Sequence, residues 1–147
     1  MSETPGARVA RARLEEVQPL AVEFKRDDSA GPVVETPLPT GALFWMATGA
    51  DGKPMGYAAG TLRPEGLVLG PVYVRAGHRR SGVGLALLHE IERWGREARI
   101  PVVEVSVAVD NKAGVGFLEA AGYRTRRVLM AREQESPAAP PPLAVVR

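Results

Sequence analysis

The sequence predicts an α/β domain, and three observations carry that expectation. Residues 67–74 form a short apolar, β-branched run that passes through a cationic, glycine-rich turn at 77–84. Beyond the turn, Leu87, Leu88, Ile91, Trp94, Gly95 and Ala98 recur at helical spacing, so a buried strand runs into a helix that begins at the glycines. Residues 102–109 repeat the pattern, a valine-rich strand leading through Asp110 and Asn111 into a second amphipathic run. Upstream, residues 42–48 and 56–62 flank a turn with Asp51-Gly52 at its centre, which reads as a hairpin.

Composition sets the outer bounds. With 147 residues, 45% hydrophobic and 24% charged, the chain suits one domain with a real core. Cysteine is absent, which excludes disulfides, thiolate metal sites and a cysteine nucleophile, and suits a reducing cytoplasm. His78 and His89 are the only histidines and have no paired metal spacing, so no metal is expected. No apolar run approaches the roughly 18 residues of a membrane span, and a soluble, cytoplasmic protein is expected. The net charge is +2, and no basic stripe interleaved with aromatics marks a nucleic-acid surface. Residues 1–7 read as a flexible N-terminus, 8–132 as a single domain, and 133–147, with Pro137, Pro140, Pro141 and Pro142, as a disordered tail.

In order, residues 8–14 alternate in a way that permits a first strand. Residues 15–27 place Val17, Leu20, Ala21 and Phe24 on one helical face, with Pro19 acceptable only in a first turn. Residues 28–40 hold Gly31, Pro32, Pro37 and Pro39 and read as a loop. After the hairpin, a turn at 63–66 delivers the chain to 67–74, giving three successive antiparallel strands, the last interrupted by Gly70-Pro71. Pro101 follows the end of the long helix. Val103, Val105, Val107 and Val109 then share one strand face, with Val102, Glu104, Ser106 and Ala108 on the other. Asp110 or Asn111 caps the next helix, in which Ala113, Phe117, Ala120 and Ala121 form the apolar stripe and Asn111, Gly114 and Leu118 the adjacent face. Gly122 closes that helix, and 123–132 is a last strand.

The glycine-rich turn is where chemistry concentrates. A helix N-terminus offers unpaired N–H groups and the positive end of the macrodipole, so an anion fits there. Gly82 and Gly84 let backbone approach phosphate oxygens closely, and Arg79 and Arg80 add charge. The Walker signature is absent because its lysine and hydroxyl pair are missing, and the dinucleotide fingerprint fails because Leu87 stands at its third glycine.

What remains, Arg79-x-x-Gly82-x-Gly84 between a strand and a helix, resembles the acyl-CoA loop of the GNAT N-acetyltransferase family. The strand ending at Asn111, with the helix after it closing on Gly122-Tyr123, resembles that family's second cofactor segment. The resemblance covers about residues 8–132. It implies a GNAT-like, acyl-CoA N-acyltransferase fold: a mixed, mostly antiparallel sheet flanked by helices, with central strands splayed at a bulge, here Gly70-Pro71. It also implies acetyl-CoA as cosubstrate. Arg79, Arg80, Ser81, Gly82, Val83 and Gly84 would then surround its pyrophosphate, the backbone of Val72, Tyr73 and Val74 would pair with its pantetheine arm, and Asn111 and Phe117 would complete its site. The implied activity is direct acetyl transfer to a primary amine of a small molecule or peptide, and a homodimer follows family habit.

The sequence departs from the family pattern where proton transfer is concerned. Leu118 stands where relatives carry a tyrosine acid, and Val68 and Gly70 stand where they often carry a glutamate base. Ser106 takes a second position at which some relatives have glutamate. Glu104, two residues away on the same strand face, is the candidate base, acting through water; no general acid is identified. Tyr73 and Tyr123 offer hydroxyls. Two further readings stay open: a non-catalytic CoA-binding regulatory or interaction module of the same fold, and a structural domain without a cofactor.

Overall fold

The structure is a computed structural model, and it describes residues 7–26 and 41–134. The expectations for 1–6, for the 28–40 loop and for the proline-rich tail from 135 onward lie outside the described residues.

Five strands form one sheet in the order β1 (Arg8–Ala12), β2 (Leu43–Thr48), β3 (Pro54–Arg63), β4 (Gly66–Val74) and β5 (Val103–Val105). Strands β1 to β4 pair antiparallel and β5 joins β4 in parallel, so the sheet is mixed and mostly antiparallel, as expected. Helix α1 (Leu14–Arg26) follows β1, α2 (Val83–Glu97) connects β4 to β5, and α3 (Lys112–Ala120) follows β5.

Alternation along the strands divides the core between the two faces of the sheet. On one face Trp45, Ala47, Ala58, Leu67 and Leu69 meet Val83, Leu87, Leu88 and Ile91 of α2. On the other, Phe44, Tyr57, Ala59 and Tyr73 meet Val17, Leu20 and Ala21 of α1. The first of these packings leaves no room at Gly60, where a Cβ would stand 2.9 Å from Leu67 Cδ1 and 3.1 Å from Leu69 Cδ2.

Helix α1 corrects one expectation. It begins at Leu14, which puts Pro19 in the second turn instead of the first. Pro19 lies on the exposed side, where water can satisfy the carbonyl it leaves unpaired, while Val17, Leu20 and Ala21 hold the turn from below. The Arg13 N–H donates to Glu16 Oε1 at 3.0 Å, half of a capping box, and fixes the start.

The central interruption falls where the sequence places it. Ala58 pairs with Val72 and Gly60 with Leu69, so Gly70 and Pro71, joined by a cis peptide, bulge opposite Ala59. Below the bulge β4 pairs with β5 through Leu67, Val68 and Leu69; above it, β5 has no partner in β4.

That departure explains three corrections. The strand expected over 102–109 is only Val103–Val105, with one further link from the Ser106 N–H to the Leu69 carbonyl at 2.9 Å, because β4 then turns away. Val103, Val105 and Val107 still pack on the α2 side, whereas Val109 is 91% exposed. In α3 the buried residue is Leu118, while Ala113 and Ala120 of the expected stripe face outward and Phe117, 40% exposed, lies at the surface against Gly84 of α2. Finally, 123–132 forms no strand. It passes beside β5 with Val128, Leu129 and Met130 exposed to 77%, 97% and 87%, because three residues of β5 template too short a ladder.

Candidate active site

The turn between β4 and α2 is built to leave backbone donors open. After Val74, the Arg75 N–H donates to the Met55 carbonyl at 2.9 Å, and its side chain reaches Pro54 O at 3.3 Å and Glu23 at 3.0 Å. A single 3-10 turn, Ala76–His78, follows, and then Arg80 (φ 61°) and Gly82 (φ 87°) bend the chain through left-handed conformations. Glycine takes that conformation without strain, which is the reason for Gly82. The Ser81 hydroxyl donates to the His78 carbonyl and closes the turn.

Gly82 is the N-cap of α2 and brings no side chain to cap it, and the first turn of the helix carries no acid. The first helical bond is Ala86 N–H to the Gly82 carbonyl at 2.9 Å, so the N–H groups of Val83, Gly84 and Leu85 open the helix without a side-chain acceptor among the described residues. Helix α3 differs: Asn111 Oδ1 accepts the Gly114 N–H at 3.0 Å and fills that role. Phe117 of α3 lies against Gly84, whose Cβ would stand 3.1 Å from its Cζ. Arg79 turns back onto β4, donating from Nε to the Val74 carbonyl at 2.9 Å, with its guanidinium 5.8 Å from the Tyr73 ring centre.

Alongside this turn runs the freed edge of β4. Val72, Tyr73 and Val74 pair with Ala58, Tyr57 and Gly56 on one side, and among the described residues no strand pairs with them on the other. Any Cβ at Gly56 would stand 2.5 Å from the Tyr73 carbonyl oxygen, so glycine there keeps this edge in place. At the apex of the splay Gly70 and Ser106 face each other, a Cβ on Gly70 lying 3.6 Å from that of Ser106.

The titratable groups distribute unevenly around this wedge. Glu104, on the face opposite α2, is gripped by Arg127 through Nε at 3.1 Å and through Nη2, with Arg126 3.9 Å away. These guanidiniums, the Arg127 hydrogen bond foremost, hold its carboxyl below the ordinary carboxylate value of 4.5, which weakens it as a base. Tyr123 is turned from the wedge: its hydroxyl donates to Glu92 of α2 at 2.5 Å, and burial with that partner raises its pKa. Tyr73 is 4% exposed, stacked edge-on with Phe24 and Tyr57. Leu118 is buried in the α2-side core.

The structure thus brings together the loop residues 79–84, the β4 edge at Val72–Val74, and Phe117, and sets Asn111 at the head of α3 with its amide oxygen engaged in the cap. Sequence reasoning missed Arg126 and Arg127; the run Arg124, Arg126, Arg127 was the available signal. Among the described residues no cluster of three or more His, Cys, Asp or Glu side chains is placed to hold a metal, and no helix is long and apolar enough to cross a membrane.

A glycine-opened helix N-terminus beside a splayed, bulged strand defines an acyl-CoA N-acyltransferase architecture, and comparison with known proteins agrees. The family model described as Acetyltransferase (GNAT) family matches residues 13–123. The chain belongs to that family of N-acetyltransferases. Among solved structures, a ribosomal-protein-alanine N-acetyltransferase from Brucella melitensis biovar Abortus 2308 superposes with a TM-score of 0.67 at 17% identity, covering 87% of this chain and 99% of its own. The aminoglycoside antibiotic 6'-N-acetyltransferase AAC(6')-Ih from Acinetobacter baumannii gives 0.60 at 14% identity, with 89% and 100% covered. AAC(6')-Iy, in complex with the bisubstrate analog CoA-S-monomethyl-acetylneamine, gives 0.62 at 16% identity, with 87% and 98% covered. No curated protein matches the sequence.

Proposed function

We propose that this chain transfers an acetyl group from acetyl-CoA directly to a primary amine of a small molecule or peptide. The observation that carries the reading is the uncapped start of α2 at left-handed Gly82, set beside the β4 edge that Gly70-Pro71 frees from β5. In this reading the amides of Val83 and Gly84, with Arg79, Arg80 and Ser81 around them, take the pyrophosphate, and the backbone of Val72–Val74 binds the amide-bearing arm as an added strand. Phe117 and Asn111 close the far side. Acetyl-CoA supplies the activated thioester; the chain's part is to hold it at the apex between Gly70 and Ser106.

Positioning of two reactants is worth on the order of 7 to 11 kcal/mol, and it is the term this chain is best equipped to provide. The acceptor arrives as an ammonium with a pKa near ~10.4 and must lose a proton. Glu104 lies on the acceptor side, but its ion pair makes it a weak base, so the proton leaves through water admitted at the exposed Ser106. A thiolate with a pKa near ~8.5 departs without an acid, which suits a site where Leu118 replaces the expected donor. The absence of cysteine suits a cytoplasmic setting.

The second reading, a CoA-binding regulatory module, is favoured by one observation: Leu118 is 8% exposed and packed in the core, so no donor stands at that position. Calorimetric titration of acetyl-CoA into the native chain and a Gly82→Val variant, each checked for folding by circular dichroism, tests the cofactor site. Binding by the native chain and at least tenfold weaker binding by the variant support both readings. Release of CoA on adding amines then selects the transferase, and its absence across a broad amine panel selects the module.

A further inference from the structure

We infer that the acceptor carries a carboxylate beside its amine and that Arg126 is the residue that recognises it. The inference rests on the acetyl-transfer reading and assigns its substrate class.

On the α2 side of the splay, Leu67, Leu69, Val103 and Val105 pack with the helix and leave no path to the apex. An amine must therefore come from the opposite face. Val68 and Glu104 are paired there, one step below the last β4–β5 rung, and Ser106 follows Glu104 on the same face at about 7 Å along the strand.

Glu104 has its carboxylate chelated by Arg127, so its negative charge is already matched. Arg126 stands 3.9 Å from the same carboxylate, with its side chain 58% exposed and no hydrogen bond among the described residues. Arg63, at the end of β3, adds to the positive field around Glu104, and Glu65 opposes it near Arg127. Among the described residues around Glu104, Arg63, Arg126 and Arg127 thus outnumber Glu65 and Glu104, and the Arg126 guanidinium, held only at 3.9 Å, keeps its paired donors exposed.

A guanidinium presents two parallel N–H groups that match a carboxylate, a geometry that an ammonium lacks. An amine at the apex with a carboxylate several ångströms away describes an amino acid or a short peptide with an acidic residue near its N-terminus. The same field repels polycations such as aminoglycosides and polyamines, whose recognition needs acidic side chains where this face has arginine. Glu104 then acts as a positioning residue: by occupying Arg127 it anchors the 124–127 segment and aims Arg126 at the mouth.

The test is a pair of calorimetric titrations, glycyl-glutamate and spermidine, into the full chain loaded with CoA, at low and at physiological salt. Glycyl-glutamate is expected to bind at least tenfold more tightly than spermidine, with the difference shrinking as salt rises. Arg126→Gln should abolish the preference and Arg126→Glu should invert it. Arg126 is exposed and weakly paired, so thermal melts should show both variants folded; Arg126→Lys, which keeps charge without the fork, should retain less than half of the preference. Tighter binding of spermidine, an unchanged preference in both Arg126 variants, or no binding of glycyl-glutamate overturns the inference. If the chain fails to load CoA, the acetyl-transfer reading falls instead, and the same titrations into the unliganded chain still decide whether Arg126 selects carboxylates.

Discussion

Glu104 shows how one residue's surroundings decide its chemistry. Its strand position puts it on the sheet face opposite α2, the proposed acceptor side, but the grip of Arg127 turns it into a tether. A depressed carboxyl contributes stability above its ordinary value of 4.5 and loses it as the pH falls through the lower folded value. The native chain should therefore melt above Glu104→Gln at pH 7, and the gap should narrow in thermal scans as the pH falls below the ordinary value and through the lower folded one. In transfer assays the same variant should lose less than about tenfold in kcat, against roughly 10²- to 10⁴-fold for a true general base, while KM rises as Arg126 loses its aim. A kcat loss beyond a hundredfold would return Glu104 to the role of base. Tyr57 behaves in the opposite sense: burial, aided by the neighbouring Tyr73, pushes its hydroxyl up to about 12. Its ionisation in the unfolded chain near 10 makes native stability fall as the pH rises from 10 to 12, and Tyr57→Phe should remove that part of the alkaline loss.

At the scale of elements, the two helices that frame the wedge differ at their starts, and the proposed cofactor site rests on that difference. Helix α3 caps itself with Asn111, whereas α2 leaves its first amides open behind Gly82. Asn111→Ala should cost about 1 kcal/mol in denaturant unfolding, the usual worth of an N-cap. Because Phe117 of the same helix lies against Gly84 at the start of α2, the same change should also weaken acetyl-CoA binding; an unaltered affinity would detach α3 from the proposed site. Helix α2, the hairpin and the bulge were legible in the sequence because each has a local signal: heptad-like apolar spacing, Asp51-Gly52, and Gly70-Pro71. The length of β5 was not, since Val107 and Val109 look as strand-like as Val103 and Val105, and only the departure of β4 ends the ladder. Likewise the apolar stripe of Ala113, Phe117 and Ala120 reads as a core face, but which stripe is buried depends on where α3 lands, and it lands on Leu118. The glycine-rich turn at 79–84, the proposed cofactor loop, was visible as a motif, whereas Arg126 and Arg127 acquire meaning only once the chain folds back to Glu104.

For the whole molecule, the open question is what completes the sheet. Strand β5 ends the sheet as an edge of three residues, and the β-branched and apolar run beside it is held to this chain by Arg126 and Arg127 on Glu104. Val128, Leu129 and Met130 form three consecutive large apolar side chains with most of their surface in water, a costly arrangement for a lone chain. Unpaired backbone and apolar surface at one edge are satisfied together when a second copy brings its own 128–130 run antiparallel to the first, since a two-fold axis makes one such run the complement of the other. We therefore expect a homodimer of the 15.7 kDa chain in light scattering at micromolar concentration. Replacing Val128 and Met130 with lysine places like charges across that axis, and it should give a monomer that still binds acetyl-CoA, because neither residue reaches the β4 edge or the start of α2. A native chain that stays monomeric at high micromolar concentration would mean that the run is covered within one chain or left exposed, and the paired-edge assembly would be discarded.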